Sequence, residues 1–206
     1  MIQDCITFFQ SGGIFMYPLL VCSILVVSVI FYRMFNMRRS CVMPEKLINS
    51  VYRTLSGTQS VDELKSELER ENSSFARLVK IVLTDETGDT ELLKERVQAR
   101  AKKEFHVLQS GLSVLDMVAT IAPMFGILGT ASGLVVIFGV FGQGSADEYN
   151  MITQGISQAL NTTIVGLAIA TPAVIASVYY SRKLERQSSQ MESLLIELIS
   201  HRYQNH

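Results

Sequence analysis

Apolar positions fall into two regimes along this 206-residue chain. In one they run almost without interruption; in the other they return every third or fourth residue among charged neighbours. The first uninterrupted run extends from about Ile14 to Phe35, with Leu19 to Tyr32 at its centre. About 20 apolar residues, each rising about 1.5 Å, cross a hydrocarbon layer of about 30 Å. Residues 14–35 therefore predict a transmembrane helix. Two further runs, within Leu112–Phe141 and Ile152–Tyr180, predict two more, assigned to 112–141 and 152–181. Both are longer than a bilayer requires, since residues 112–141 span about 45 Å as a helix. The surplus is expected to continue as helix into the cytoplasm.

Residues 36–111 and 182–206 belong to the second regime. Pro44 suits a first helical turn. Ser60-Val61-Asp62-Glu63 has the form of a capping box, in which the hydroxyl satisfies a free backbone N–H and the Glu reaches back. Gly57 and Gly88 mark breaks, and a long helix is expected from about Asp89 into the second span. Its apolar stripe runs through Leu93, Val97, Ala101, Glu104/Phe105, Leu108, Leu112 and Leu115. The tail repeats the pattern at Leu184, Ser188, Met191, Leu195 and Leu198. Two such stripes pack most simply on each other, predicting a cytoplasmic helical bundle. The fold class is thus all-α: an integral membrane protein with three transmembrane helices whose long helices extend into that bundle.

Charge placement orients the spans. All 18 Lys and Arg residues lie between Arg33 and Lys103 or between Arg182 and Arg202. A basic residue at mid-bilayer costs roughly 2.5–3.5 kcal/mol on insertion scales, so their absence from the apolar runs is physically meaningful. The segment before the first span holds Asp4 and no basic residue, whereas Arg33, Arg38 and Arg39 follow it. This is the reverse of a signal peptide. The acidic connector Gly142–Asn150 carries no basic residue, and Arg182, Lys183 and Arg186 follow the third span. The positive-inside rule gives N-out, C-in. Residues 1–13 and the loop 142–151 become periplasmic; 36–111 and the C-terminal helix 182–206 become cytoplasmic. Cys5, Cys22 and Cys41 then occupy different compartments and predict no disulfide framework. The basic cluster Arg96, Arg100, Lys102 and Lys103 reads as a solvated face near anionic lipid headgroups, not as a nucleic-acid site.

The last two spans carry small residues in rows. Gly126, Gly129 and Gly133 share one helical face, and Gly155, Ala159, Thr162, Gly166, Ala170, Ala173 and Ser177 form a smooth flank. In lipid, small residues let helices associate by close contact, here either within the chain or between subunits. Polar residues interrupt the same spans: Thr130 in the second, and Gln158, Asn161, Thr162 and Thr163 in the third. Gln158, Asn161 and Thr162 share a face, and Thr163 lies roughly 140° from Gln158. Thr130 and Thr163 are each about 15 Å below the outer end of their helix, hence at similar depth near mid-bilayer. A Thr can bond its own backbone, but Gln and Asn at this depth need a polar partner or water. Together they point to a polar lumen. The only carboxylate near these spans is Asp116, close to the inner end.

Two segments carry a family likeness. Ala122-Pro-Met-Phe-Gly-Ile-Leu-Gly-Thr130-Ala-Ser-Gly133 resembles the "AP-x-x-G-L-x-G-T-V-x-G" segment of the ExbB/TolQ/MotA proton-channel subunits. Gly155-Ile-Ser-Gln-Ala-Leu-Asn-Thr-Thr163-Ile-Val-Gly166-Leu, followed by Ala170-Thr-Pro172-Ala, resembles their "G-I-x-E-A-L-x-x-T-x-x-G-L…A-x-P-A" segment. The three-span layout is closest to the ExbB/TolQ type. The resemblance implies a homopentamer in the bacterial inner membrane around a pore lined by Thr130 and Thr163. The pore would hold a dimer of a single-span ExbD/TolR-like partner whose membrane Asp binds the proton. Such a motor turns proton-motive force into motion that drives a TonB-like or TolA-like protein. Gln158 departs from the family's glutamate. An amide can hydrogen-bond a carboxylate but cannot take up a proton at ordinary pH, which moves the titrating role to the partner.

Two other functions compete. A flagellar stator subunit of the MotA kind carries four spans and a larger cytoplasmic region; only three spans can be drawn here. A non-conducting membrane scaffold, oligomerising through its small-residue flanks, is the reading Gln158 favours. No enzyme, metal or cofactor is expected. His106, His201 and His206 lack metal-ligand spacing, and Gly126-Ile-Leu-Gly129-Thr130 lacks the Gly-Lys-Ser/Thr of a phosphate loop.

Overall fold

The computed structural model describes residues 12–36, 42–85, 89–140 and 148–204. Cys5, Cys41, Gly88, Phe141 and most of the acidic connector lie outside them. The described residues form seven helices of more than one turn and no strand. These are α1 (Met16–Asn36), α2 (Glu45–Leu55), α3 (Val61–Arg70), α4 (Ser74–Thr84), α5 (Thr90–Ser110), α6 (Leu112–Val140) and α7 (Glu148–Gln204). Three helical stretches are long and apolar enough to cross a membrane. The chain divides into two compact units, Met1–Phe31 with Leu112–Tyr179, and Tyr32–Gly111 with Tyr180–His206.

The second unit is a water-soluble-style bundle. Helices α3, α4 and α5 start where a side chain replaces the missing backbone partner of the first turn. Ser60 Oγ accepts from Asp62 N at 3.3 Å, Ser73 Oγ from Ala76 N at 3.1 Å, and Asp89 Oδ1 from Glu91 N at 2.9 Å. Pro44 stands just ahead of α2, at its N-cap. Gly57, at φ +73°, ends α2 in the left-handed conformation that glycine adopts most cheaply, with Thr58 N closing back on Arg53 O at 2.9 Å.

The stripes expected from the sequence meet in one core. Leu93 and Val97 of α5 and Met191, Leu195 and Leu198 of α7 are buried with Leu47, Leu64, Phe75 and Leu78 from α2, α3 and α4. Helix α4 is the hub, with seven of its residues buried. Arg202 closes it from a distance of 120 residues in sequence, donating to the carbonyls of Val82 and Asp85 at its C-terminal end. Arg33, read from the sequence only as an orienting charge, is buried here, and its guanidinium fills the space left by the missing side chain of Gly111.

Glu104 sits in the apolar stripe of α5 because it has a partner. Arg77 grips it with Nε to Oε1 at 3.1 Å and Nη2 to Oε2 at 2.5 Å, and Ser74 Oγ donates at 3.2 Å. The Arg77 hydrogen bonds hold the Glu104 carboxyl below the usual carboxylate range. Burial opposes them, and the charges of Arg77 and Arg100 add to them. The folded state therefore favours the ionised form. Its stabilisation is complete above the ordinary carboxylate pKa and is lost as pH falls through the lower folded value. Arg77 is partly exposed, so the expected loss on Glu104→Gln at neutral pH is about 1 kcal/mol. In thermal melts the gap between wild type and Glu104→Gln should narrow as the pH falls below the ordinary carboxylate range.

In the first unit, α1 buries Met16, Leu19, Cys22 and Val26, one narrow face. Helices α6 and α7 run antiparallel and bury their small-residue rows. Their other faces expose large apolar side chains such as Val135, Phe138, Ile164 and Ile175. An aqueous surface tolerates few contiguous groups of that kind, whereas lipid suits them.

Candidate functional site: the seam between α6 and α7

Missing side chains make the seam. A Cβ added to Gly133 would lie 2.6 Å from the Gly155 carbonyl oxygen, and one on Gly166 would lie 2.7 Å from that of Ala122. A Cβ on Gly126 would meet the Thr163 Cα at 3.2 Å. These neighbours are backbone atoms and cannot swing aside. Both rows lie along the seam: Gly126, Gly129 and Gly133 of α6 face Gly155, Ala159, Thr162 and Gly166 of α7, and Ala170 is buried farther along.

Backbones this close bring hydroxyls across the seam. Thr130 Oγ1 and Thr163 Oγ1 stand 2.5 Å apart. Each also reaches both flanking carbonyls. Thr130 lies 3.1 Å from Gly126 O and 3.2 Å from Ala159 O, and Thr163 lies 3.2 Å from each. Two hydroxyl protons thus share three acceptor types: two carbonyls and the partner oxygen. One proton bridges the pair while the other rests on a carbonyl, and a rotation of both reverses the order. At least one hydroxyl lone pair stays open to a further donor. Such a pair can pass hydrogen-bond polarity across the seam, which a lone threonine bonded to its own helix cannot do.

The other polar residues separate. Thr162 is fully buried, seated against Gly129, with its hydroxyl donating to Gln158 O at 2.9 Å on its own helix. Asn161 is half-buried, and its Nδ2 donates to Ser157 Oγ at 3.3 Å. Gln158 is half-buried; its Nε2 reaches Ser132 Oγ at 3.5 Å. The Gln158 amide also fills the space beside Gly13, whose φ is +71°. Ser132 and Ser157 were not singled out from the sequence, although Ser132 lies inside the first quoted motif. Farther along the seam, Ser177 Oγ donates to Asp116 Oδ1. The sequence marked Asp116 as a lone carboxylate and Ser177 only as a small residue.

Comparison with known proteins decides what this seam belongs to. The model of the MotA/TolQ/ExbB proton channel family matches residues 58–193, well over half of the chain and including both threonines. The chain belongs to this family. Similar proteins include biopolymer transport protein exbB1 of Vibrio cholerae, 28% identical over 90% of this chain and 83% of its own length. An ExbB-like biopolymer transport protein of Synechocystis is 28% identical over 89% and 72%. The ExbB of Helicobacter pylori is 39% identical over 34% of this chain and 48% of its own. The seam therefore lies within a member of a membrane proton-channel family.

If backbone contact sets the seam, its tolerance to a methyl group must vary sharply by position. Gly166→Ala should lower the melting temperature of the detergent-solubilised protein and reduce its assembly. Gly139→Ala, where the added Cβ meets nothing within 4 Å, should be neutral or slightly stabilising. Circular dichroism melts and size-exclusion profiles check both.

Proposed function

We propose that this chain is the channel-forming subunit of a proton-driven motor in the bacterial inner membrane, oriented N-out and C-in. Several copies, five by the family's pattern, enclose a passage in which Thr130 and Thr163 form the polar wall at mid-membrane. Gln158 and Asn161 are the flanking amides, while Thr162 serves the seam. The observation that carries the reading is the hydroxyl pair at 2.5 Å. Two half-buried hydroxyls with a spare acceptor, deep in apolar helix, suit a surface that must solvate a partner's carboxylate through both its charged and neutral states.

The partner is a dimer of an ExbD/TolR-like single-span protein. Gln158 supports placing the titrating group there, because an amide offers hydrogen bonds without taking up the proton. The work delivered is motion of that partner, which energises a TonB-like outer-membrane uptake system or a TolA-like envelope system. The basic residues flanking the apolar stretches support contact with anionic inner-leaflet lipid.

One observation favours the non-conducting scaffold: carbonyls within the same helix pair already satisfy both threonine hydroxyls. Thr163→Val separates the two readings. It keeps the side-chain volume and leaves Thr130 bonded to Gly126 O, so the seam should hold. In proteoliposomes containing the chain with its single-span partner, the motor reading expects the variant to assemble normally while gradient-driven proton uptake falls to background. No uptake in the wild type supports the scaffold, and unchanged uptake in Thr163→Val removes Thr163 from the proton path.

A further inference from the structure

Helices α6 and α7 make a second polar bridge along the same seam. Fourteen residues back from Thr130 on α6 stands Asp116, and fourteen residues forward from Thr163 on α7 stands Ser177; the two are hydrogen-bonded. Fourteen residues of helix advance about 21 Å and turn to within about 40° of the starting face. The antiparallel register therefore returns to the seam with a carboxylate and a hydroxyl in place of two hydroxyls. Between the bridges the buried seam is apolar or small, with Val118, Ala122, Gly166, Ala170 and Ala173.

The chemistry of this lower bridge is unlike the rest of its unit. Among the described residues of 12–31, 112–140 and 148–179 there is no Lys, Arg or His, and the only carboxylates are Asp116 and Glu148. Glu148 begins α7, at the far end of the seam. Asp116 is an exposed residue of the single subunit, and Ser177 fixes one of its oxygens. About 21 Å from a mid-bilayer threonine is beyond the half-thickness of the hydrocarbon layer. The end of the seam where it lies is also the one followed in sequence by Arg182, Lys183 and Arg186.

We propose that Asp116 is this chain's own proton-carrying residue, standing at the inner mouth of the passage, with Ser177 as its positioning residue. The proposal rests on the channel reading given above. A proton released on the passage side moves from a hydronium ion to the Asp116 carboxylate, leaving water and a neutral carboxyl. That carboxyl then gives the proton to cytoplasmic water and returns to the ionised form. Ser177 O–H donates to Oδ1 of the ionised state and holds the group on the seam.

The test is proton uptake into proteoliposomes holding the chain and its single-span partner, followed with an entrapped pH-sensitive dye. Thr163→Val serves as the reference for the passage itself. Asp116→Asn should lower the initial rate by about a hundredfold, the scale of a lost acid–base group, with subunit stoichiometry unchanged in native mass spectrometry. Asp116→Glu should restore most of the rate, and Ser177→Thr should restore what Ser177→Ala loses. Full uptake in Asp116→Asn together with a silent Thr163→Val overturns the Asp116 proposal and leaves the channel reading standing. Full uptake in both overturns the Asp116 proposal and the assignment of Thr163 to the passage, whereas no uptake in the wild type overturns the channel reading. Should Asp116→Asn disrupt assembly, the infrared spectrum of the Asp116→Glu assembly decides. Its carboxyl band must rise and fall with the imposed gradient, and a band that stays constant overturns the proposal.

Discussion

Two helical backbones approach so closely along the α6–α7 seam that side chains between them are reduced to hydrogen atoms and methyl groups. Inside lipid there is little hydrophobic gain in bringing helices together, because the tails are as apolar as leucine. Association must come from dispersion contacts and from hydrogen bonds made at short range. Gly126, Gly133, Gly155 and Gly166 supply that approach by placing backbone against backbone. The position of every polar group discussed here follows from it. Thr130 and Thr163 meet only because nothing holds their helices apart, and Asp116 meets Ser177 in the same register.

The second unit rests on different physics. It is a water-type core in which apolar stripes of α2–α5 and α7 bury one another and α4 buries seven of its eleven residues. Its polar exceptions are paired. Glu104 is held by Arg77, and the open end of α4 is closed by Arg202. One long helix, α7, contributes residues to both units. The chain thus joins a seam built from small residues to a bundle built from large ones.

Much of this was legible along the chain because membranes and helices impose simple periods. The three apolar runs, the row from Gly155 to Ser177 and the equal depth of Thr130 and Thr163 follow from the rise and twist of a helix alone. The seven residues of that row are all buried. Periodicity could not decide Thr162, which belongs both to that row and to the face of Gln158 and Asn161. Only the position of α6 shows that Thr162 serves the seam. Nor could it foresee Gln158 beside Gly13, Arg202 on α4 or Arg77 on Glu104. Those contacts join residues far apart in sequence, and no local pattern encodes them. Pro44 and Ser60, by contrast, were readable because a helix start is a local event.

The account turns on whether the threonine pair faces water once the subunits have assembled. A cryo-electron microscopy map of the complex with its partner, sharp enough to show ordered solvent, tests this directly. The account predicts water within hydrogen-bond distance of Thr130 and Thr163, on the side that faces the partner helix. A dry axis, with both hydroxyls engaged solely by each other and by the carbonyls of Gly126 and Ala159, would contradict it.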